Sequence, residues 1–338
     1  MKSRDIPVLD PFGVATDPKM PFLGTAINPA EAQRGLSECE ANLPDKPYLS
    51  AIRVVRYKPE RRCLIEYDVE WERASGPAQT ITLLGKARAK GLDKKTFRLH
   101  QALCCAGFAS GSEDGISVPE PIGLLPQFQM WLQLKAPGMA ATERFFESDG
   151  VALARRVAEA AHKLHRSGVP THRHHTMTDE LRILRERLAR VARLKPEWSQ
   201  RLERLLEACE RLGGSVPEPS PRGIHRDFYP AQVLVDGPRL WLVDFDLYCQ
   251  GDPALDIGNF LGHLTEQSLR RYGDPRALAD REEALEERFI ELAGATTRLA
   301  VRAYATLTLA RHIHLSTLFP ERRPFTEPLL RWCEERLY

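Results

Sequence analysis

Apolar and polar positions along the chain change period once. Residues 51–71 (AIRVVRYKPERRCLIEYDVEW) hold two β-type runs on either side of the turn Lys58-Pro59-Glu60-Arg61, and residues 78–90 (AQTITLLGKARAK) hold a third, rich in Thr, Ile and Leu. Three such runs in succession predict an antiparallel meander. A helix is predicted over residues 92–107, where Phe97, Leu99, Leu103 and Cys104 share one face loosely. Prolines then delimit two short strands within residues 116–139, and Ala136-Pro137-Gly138 ends the second. Beyond that point the period becomes helical. Val151, Ala154, Val157, Ala161 and Leu164 line one face of residues 149–168, and residues 179–194, 197–214, 280–294 and 297–319 read as further amphipathic helices. Two short strands, residues 232–237 and 239–246, interrupt them.

A strand-rich first half and a helical second half predict an α+β protein of two lobes, residues 1–135 and 136–338, with a cleft expected where they join. The first 50 residues, rich in Pro, Gly and Asp with one helical candidate at residues 28–43, read as an extension laid on the first lobe. Charge adds little to this picture. With 48 basic against 46 acidic side chains the net charge is +2, so no general nucleic-acid or membrane surface is expected, and any binding charge is local. The start lacks an apolar leader and no stretch is long and apolar enough to span a bilayer, which gives a cytoplasmic expectation. Seven cysteines without CxxC spacing read as buried or incidental thiols.

The candidate chemistry lies in residues 223–256. Asp227, Gln232, Asp244 and Asp246 fall near the ends of two strands expected to pair as a hairpin across Asp236-Gly237. Carboxylate and amide oxygens suit a hard cation such as magnesium, and a further carboxylate nearby, Asp227, suits proton acceptance from a hydroxyl. These stretches, HRDFYPAQ, LVDFD and GDPALD, together with the upstream AAHKLHRSG, resemble the aminoglycoside phosphotransferase and choline kinase group of the protein-kinase-like fold. The resemblance implies a small antiparallel-sheet N-lobe that binds nucleotide and a mostly helical C-lobe that carries the catalytic loop and the acceptor site. It implies Asp227 as catalytic base, Gln232 and Asp244 as magnesium ligands, and ATP as phosphoryl donor to a hydroxyl of an aminoglycoside, amino alcohol or sugar-like molecule. His225 would brace the loop, and Asp252 and Asp256 would cap the next helix and hold the loop.

In the N-lobe the resemblance points to Lys86 for the donor phosphates, although Arg88 and Lys90 share its face, and to the backbone of Leu134 to Ala136 for adenine. Three departures stand out. The turn at residues 58–62 has no glycines, the helix over 92–107 has no glutamate to pair with Lys86 beyond Asp93 or Gln101, and position 232 is glutamine where the family usually has asparagine. A pseudokinase that binds nucleotide without turnover is therefore the alternative. The histidine cluster at 171–176 reads as a loop, His312 and His314 as core or interface residues, and Glu266 and Glu327 as exposed glutamates or, in the alternative, receivers of a cationic acceptor.

Overall fold

The β-branched runs of the first third pair as an antiparallel sheet. In the computed structural model, which describes residues 6–39, 48–71 and 79–337, the chain divides into two compact units, Met1–Pro137 and Gly138–Tyr338. The first unit contains β1 (Val8–Leu9), α1 (Phe22–Ala26), α2 (Pro29–Glu38), β2 (Tyr48–Lys58), β3 (Arg62–Trp71), β4 (Gln79–Arg88), α3 (Lys94–Leu103), β5 (Ile116–Ser117), β6 (Pro121–Leu125) and β7 (Met130–Leu134). Its six-stranded sheet has the order β1-β2-β3-β4-β7-β6, with β1 parallel to β2 and the other pairs antiparallel. Alternation puts Ile52, Val54, Cys63, Ile65, Tyr67, Val69 and Leu83 on the buried face with Met130 and Leu132.

The N-terminal extension is part of this core. Val14, Met20, Leu23 and Leu36 are buried in the same cluster, an integration that the Pro/Gly-rich composition concealed. Asn28 caps α2 by accepting from the amides of Ala30 and Glu31, and Pro29 occupies the first turn. The helix ends at Glu38, and residues 40–43 of the predicted segment lie outside the described residues. Asp93 caps α3 through the Thr96 amide, and the helix loosens into a π turn at Cys104–Phe108, where Gly107 has φ of 95°. Of the seven cysteines, all free, Cys105 is exposed rather than buried.

The second unit contains β8 (Met139–Ala140), α4 (Ala141–Arg144), α5 (Gly150–Arg166), α6 (Met177–Leu194), α7 (Ser199–Gly214), β9 (Arg222–Ile224), β10 (Val233–Asp236), β11 (Arg239–Leu242), β12 (Cys249–Gly251), α8 (Pro253–Tyr272), α9 (Ala279–Ala293), α10 (Arg298–Leu318) and α11 (Thr326–Leu337). β10 and β11 form the hairpin, with Asp236 opposite Arg239 across Gly237 and Pro238, and β8 flanks β10. Gly138 is required twice over. Its φ is +87°, and a Cβ there would lie 2.3 Å from the Val235 carbonyl oxygen. β9 pairs antiparallel with β12, setting Ile224 opposite Cys249. α8 packs along α10 so closely that a Cβ on Gly258 would meet the Ala305 nitrogen at 2.7 Å. None of the helices among the described residues is long and apolar enough to cross a membrane.

Candidate active site

β9 leads directly into His225, Arg226 and Asp227, and the peptides there need outside support. Arg226 has φ of +70°, a left-handed conformation that costs about 1–3 kcal/mol in a residue with a side chain. Asp256, in the first turn of α8 and without exposed surface, supplies that support: its carboxylate accepts from the amides of His225 (2.8 Å) and Arg226 (2.7 Å). His165, near the end of α5, points Nε2 at the same carboxylate at 2.8 Å. The helix cap is Asp252 alone, through the Ala254 amide, so Asp256 holds the loop but does not cap. His225 Nε2 lies 2.9 Å from the Val243 carbonyl, the brace expected between the loop and the strand end.

A second network reaches the same loop from the helices. Asn259 donates from Nδ2 to the Phe228 carbonyl at 2.9 Å and accepts from Arg311 at 2.6 Å. Arg311 donates also to Glu180, whose other oxygen meets His175 Nε2 at 2.6 Å. Burial opposes ionisation of Glu180, yet Arg311 and His175 outweigh it and hold its carboxyl below the usual range. The loop at 171–176 thus serves structure: His175 is buried and its amide bonds to Gln250 of β12. Tyr229 stacks on His263 with ring centroids 4.6 Å apart, and His263 meets His312 edge-on at 4.4 Å. Burial pushes the His312 imidazole down to about 3 and lowers His263 strongly, so both are neutral at pH 7.

Asp227 follows the clamped pair of peptides and is itself largely buried. Burial raises its carboxyl above the ordinary value and the nearby Asp244 adds to the rise, against the opposing pull of His225, Arg311 and Arg226. Gln232 ends a short 3-10 turn, Pro230–Gln232, one residue before β10, and does not belong to the strand itself. Its carbonyl accepts from the Val243 amide at 3.0 Å, which places position 232 opposite the entry to Asp244. Asp244 has φ of +66°, a turn out of β11 into the 3-10 turn Phe245–Leu247 that carries Asp246, whose carbonyl accepts from Arg173. One amide and one carboxylate oxygen fit magnesium, which keeps waters and is bound largely through substrate phosphates. No group of three His, Cys, Asp or Glu side chains suited to a metal occurs among the described residues, so a cage built from such side chains alone is not offered.

In the first unit, Lys86 lies near the C-terminal end of β4 with Nζ 5.0 Å from the ring centroid of Trp131 on β7. Asp93 is engaged by Arg88 at 2.9 Å and by its own helix cap. At the end of β7 the Leu134 amide bonds to the Glu120 carbonyl and the Lys135 amide to Thr82, each at 2.9 Å. The turn between β2 and β3 has an anchor that sequence reasoning missed. Buried Asp17 accepts from the Tyr57 hydroxyl at 2.7 Å and from the amides of Glu60 (2.8 Å), Lys19 (2.8 Å) and Met20 (2.9 Å). Burial works against its charge, but these four donors win and lower its pKa. Glu60, with φ of +56°, is the strained residue that Asp17 fixes. Its one sequence trace is an aspartate inside a Pro/Gly-rich stretch, which composition alone reads as a loop.

Glu266 is corrected from exposed to buried: it is 3% exposed and sits beside Arg270 at 3.2 Å. Glu327 pairs with Arg201 and Arg331. Glu266 is thus enclosed, whereas Glu327 stays half exposed, as expected of a surface glutamate.

A family profile described as the phosphotransferase enzyme family (APH) matches residues 109–304, more than half of the chain. The chain belongs to this phosphotransferase family. No curated protein matches the sequence. Among solved structures, a choline/ethanolamine kinase family protein from Mesorhizobium loti is similar at a TM-score of 0.57, with 15% identity over 93% of this chain and 92% of that one. A thermostable mutant of aminoglycoside phosphotransferase APH(4)-Ia, in complex with ADP and hygromycin B, gives 0.56 at 15% identity over 85% and 93%. A glucosamine kinase gives 0.50 at 14% identity over 87% and 91%. At such identities the likeness establishes the α+β protein-kinase-like fold, with an antiparallel-sheet N-lobe and a helical C-lobe.

Proposed function

We propose that the protein is an ATP-dependent small-molecule kinase that transfers the γ-phosphoryl group of Mg-ATP to a hydroxyl of an aminoglycoside, amino alcohol or sugar-like acceptor. The observation that carries this reading is Asp227, a carboxylate made more basic by burial and set on a loop whose two preceding peptides are clamped by Asp256. Asp227 orients the acceptor hydroxyl and takes its proton while the hydroxyl oxygen attacks the γ-phosphorus and the bond to the ADP oxygen breaks. Positioning and charge neutralisation supply most of the rate. Lys86 neutralises donor phosphates, held at its height on the sheet by Trp131. Adenine is met by the backbone of Leu134 to Ala136, where the amides of Leu134 and Lys135 already serve the sheet and the Ala136 amide takes the contact. The turn of Lys58, Arg61 and Arg62 offers side-chain charge where glycine amides would otherwise approach the phosphates. Gln232 and Asp244 would hold magnesium, which when bound offsets the negative charge on the phosphates.

The test measures ADP release against a library of small hydroxyl compounds for the protein and for Asp227→Asn. Equal background in the two sinks the kinase reading, and a magnesium-dependent nucleotide thermal shift without turnover installs the pseudokinase in its place. Position 232 has its own test. Gln232→Asn keeps the amide oxygen and should retain or raise activity, whereas Gln232→Ala should lose metal dependence.

A further inference from the structure

One turn of α8 carries two residues that grip the catalytic loop, one before Asp227 in sequence and one after it. Asp256 takes the amides of His225 and Arg226. Asn259, three positions on and without exposed surface, gives its Nδ2–H to the Phe228 carbonyl at 2.9 Å. Residues three apart on a helix share a face, so a single face of α8 serves both contacts. What matters at Asn259 is direction. A side-chain amide has a donor end and an acceptor end of nearly the same shape, and its neighbours decide which end meets the loop. Oδ1 accepts from Arg311 of α10 at 2.6 Å and from the Thr308 hydroxyl at 3.3 Å. A guanidinium has donors and no acceptor, so Arg311 admits only Oδ1 and turns Nδ2 toward Phe228. Arg311 is held in turn by Glu180 of α6 at 3.1 Å, and Glu180 by His175. Three helices therefore meet at one mostly buried arginine. Its charge also reaches Asp227: burial is the main influence on that carboxyl and raises it, while His225 and then Arg311 pull it back.

We propose that Asn259 and Arg311 are positioning residues for phosphoryl transfer: Arg311 sets the direction of the Asn259 amide, and that amide fixes the peptide that follows Asp227. The proposal rests on the reading of Asp227 as the base. With Asp256 on the peptides before it and Asn259 on the peptide after it, Asp227 is held from both ends, and a transfer geometry of this kind is sensitive to shifts of about 1 Å. Neither residue is among those assigned to nucleotide or magnesium, so losing either should lower kcat and leave nucleotide affinity in place. A general structural role gives no such split. Asn259→Asp isolates the contact, because a carboxylate of nearly the same shape keeps its bond to Arg311 yet offers an acceptor where the Phe228 carbonyl needs a donor. Arg311→Met removes the donors and the charge at similar length, and Arg311→Lys keeps a charge and a donor.

The experiment compares wild type with Asn259→Asp, Arg311→Met, Arg311→Lys and Val301→Ala, the last a core truncation on α10 that loosens the same helix away from the loop. It reads Tm, ADP affinity by calorimetry, kcat at saturating Mg-ATP with a hydroxyl compound that wild type turns over, and hydrogen exchange of the peptide spanning residues 224–233. At a temperature where all are folded, Asn259→Asp and Arg311→Met are expected to lose about 10- to 100-fold in kcat, with ADP affinity within about twofold of wild type. Arg311→Lys should recover part of that loss, and Val301→Ala should keep kcat. Exchange across residues 224–233 should be faster in Asn259→Asp and Arg311→Met and unchanged in Val301→Ala. Wild-type kcat in Asn259→Asp overturns the proposal, as does a loss of ADP affinity in step with kcat, or an equal loss of kcat in Val301→Ala. If Arg311→Met does not fold, Asn259→Asp, which keeps the pairing with Arg311, decides. A wild type without turnover refutes the kinase reading and with it the role in transfer, and exchange, which needs no turnover, then decides the hold on the loop alone. Unchanged exchange in Asn259→Asp overturns that hold.

Discussion

Asp256→Ala is expected to be among the most damaging single changes near the loop, and the structure supplies its magnitude. The wild-type carboxylate satisfies three donors, two buried and one part-buried: Oδ2 takes the His225 amide and His165 Nε2, each at 2.8 Å, and Oδ1 takes the Arg226 amide at 2.7 Å. At about 1–3 kcal/mol for each buried donor left unsatisfied, alanine loses about 3–9 kcal/mol, a large share of the ~5–15 kcal/mol that holds a domain together. Asp256→Asn separates the contributions. Its amide oxygen can still serve His225 and His165, which leaves its NH2 facing the Arg226 amide, so one donor is orphaned and the loss should be about 1–3 kcal/mol. That donor belongs to the residue with φ of +70°, directly before Asp227, so turnover should fall even where the variant stays folded. Urea unfolding at constant slope measures both variants. If alanine and asparagine cost the same, or if alanine stays within about 0.5 kcal/mol of wild type, the clamp reasoning is wrong.

Asp227→Asn should abolish transfer while leaving the protein at least as stable at neutral pH. The folded pKa of Asp227 is raised, so its favourable contribution is complete below the unfolded value near 3.8 and is lost as pH rises through the folded value. The stability of wild type relative to Asn should therefore decline with rising pH over that window while activity rises; chemical denaturation at several pH values reads it, and a flat difference refutes it. Asp17 has the opposite sign. Its pKa is lowered, so its stabilisation is present above about 3.8 and is lost as pH falls through the folded value. Asp17→Asn should loosen the β2–β3 turn and raise KM for nucleotide more than it lowers kcat, and unchanged nucleotide KM counts against the anchor. Trp131→Leu removes the ring beneath Lys86, a contact of about 0.5–2 kcal/mol, so nucleotide Kd should weaken by about 2- to 30-fold, with Trp131→Phe in between. Calorimetric titration on variants shown to be folded checks the order.

Much of the fold is written locally. The alternation in residues 51–71 needs only neighbours two apart to declare β-strand, and the switch to a 3.6-residue period after Gly138 declares the helical half. The site's core is local as well, because His225, Asp227 and Gln232 lie within eight residues and the hairpin to Asp244 is set by a short turn. The supports are not local. Arg311 reaches Glu180 across 131 positions and Asp17 reaches Glu60 across 43, and each is a lone polar residue whose surroundings give no periodic hint of a partner. Glu266 shows the converse: a glutamate on a helix reads as solvated until the packing of α8 on α10 encloses it with Arg270.

By itself, then, the order of residues determined the two kinds of secondary structure, where they change over, and which carboxylate and amide flank the hairpin, since backbone geometry and short turns act over a few residues. Only the tertiary structure decided which donors need Asp256, which strained peptides Asp17 and Asp256 hold, and which acids pair with arginines. Those outcomes depend on desolvation, and a side chain is desolvated by whatever the whole chain packs around it.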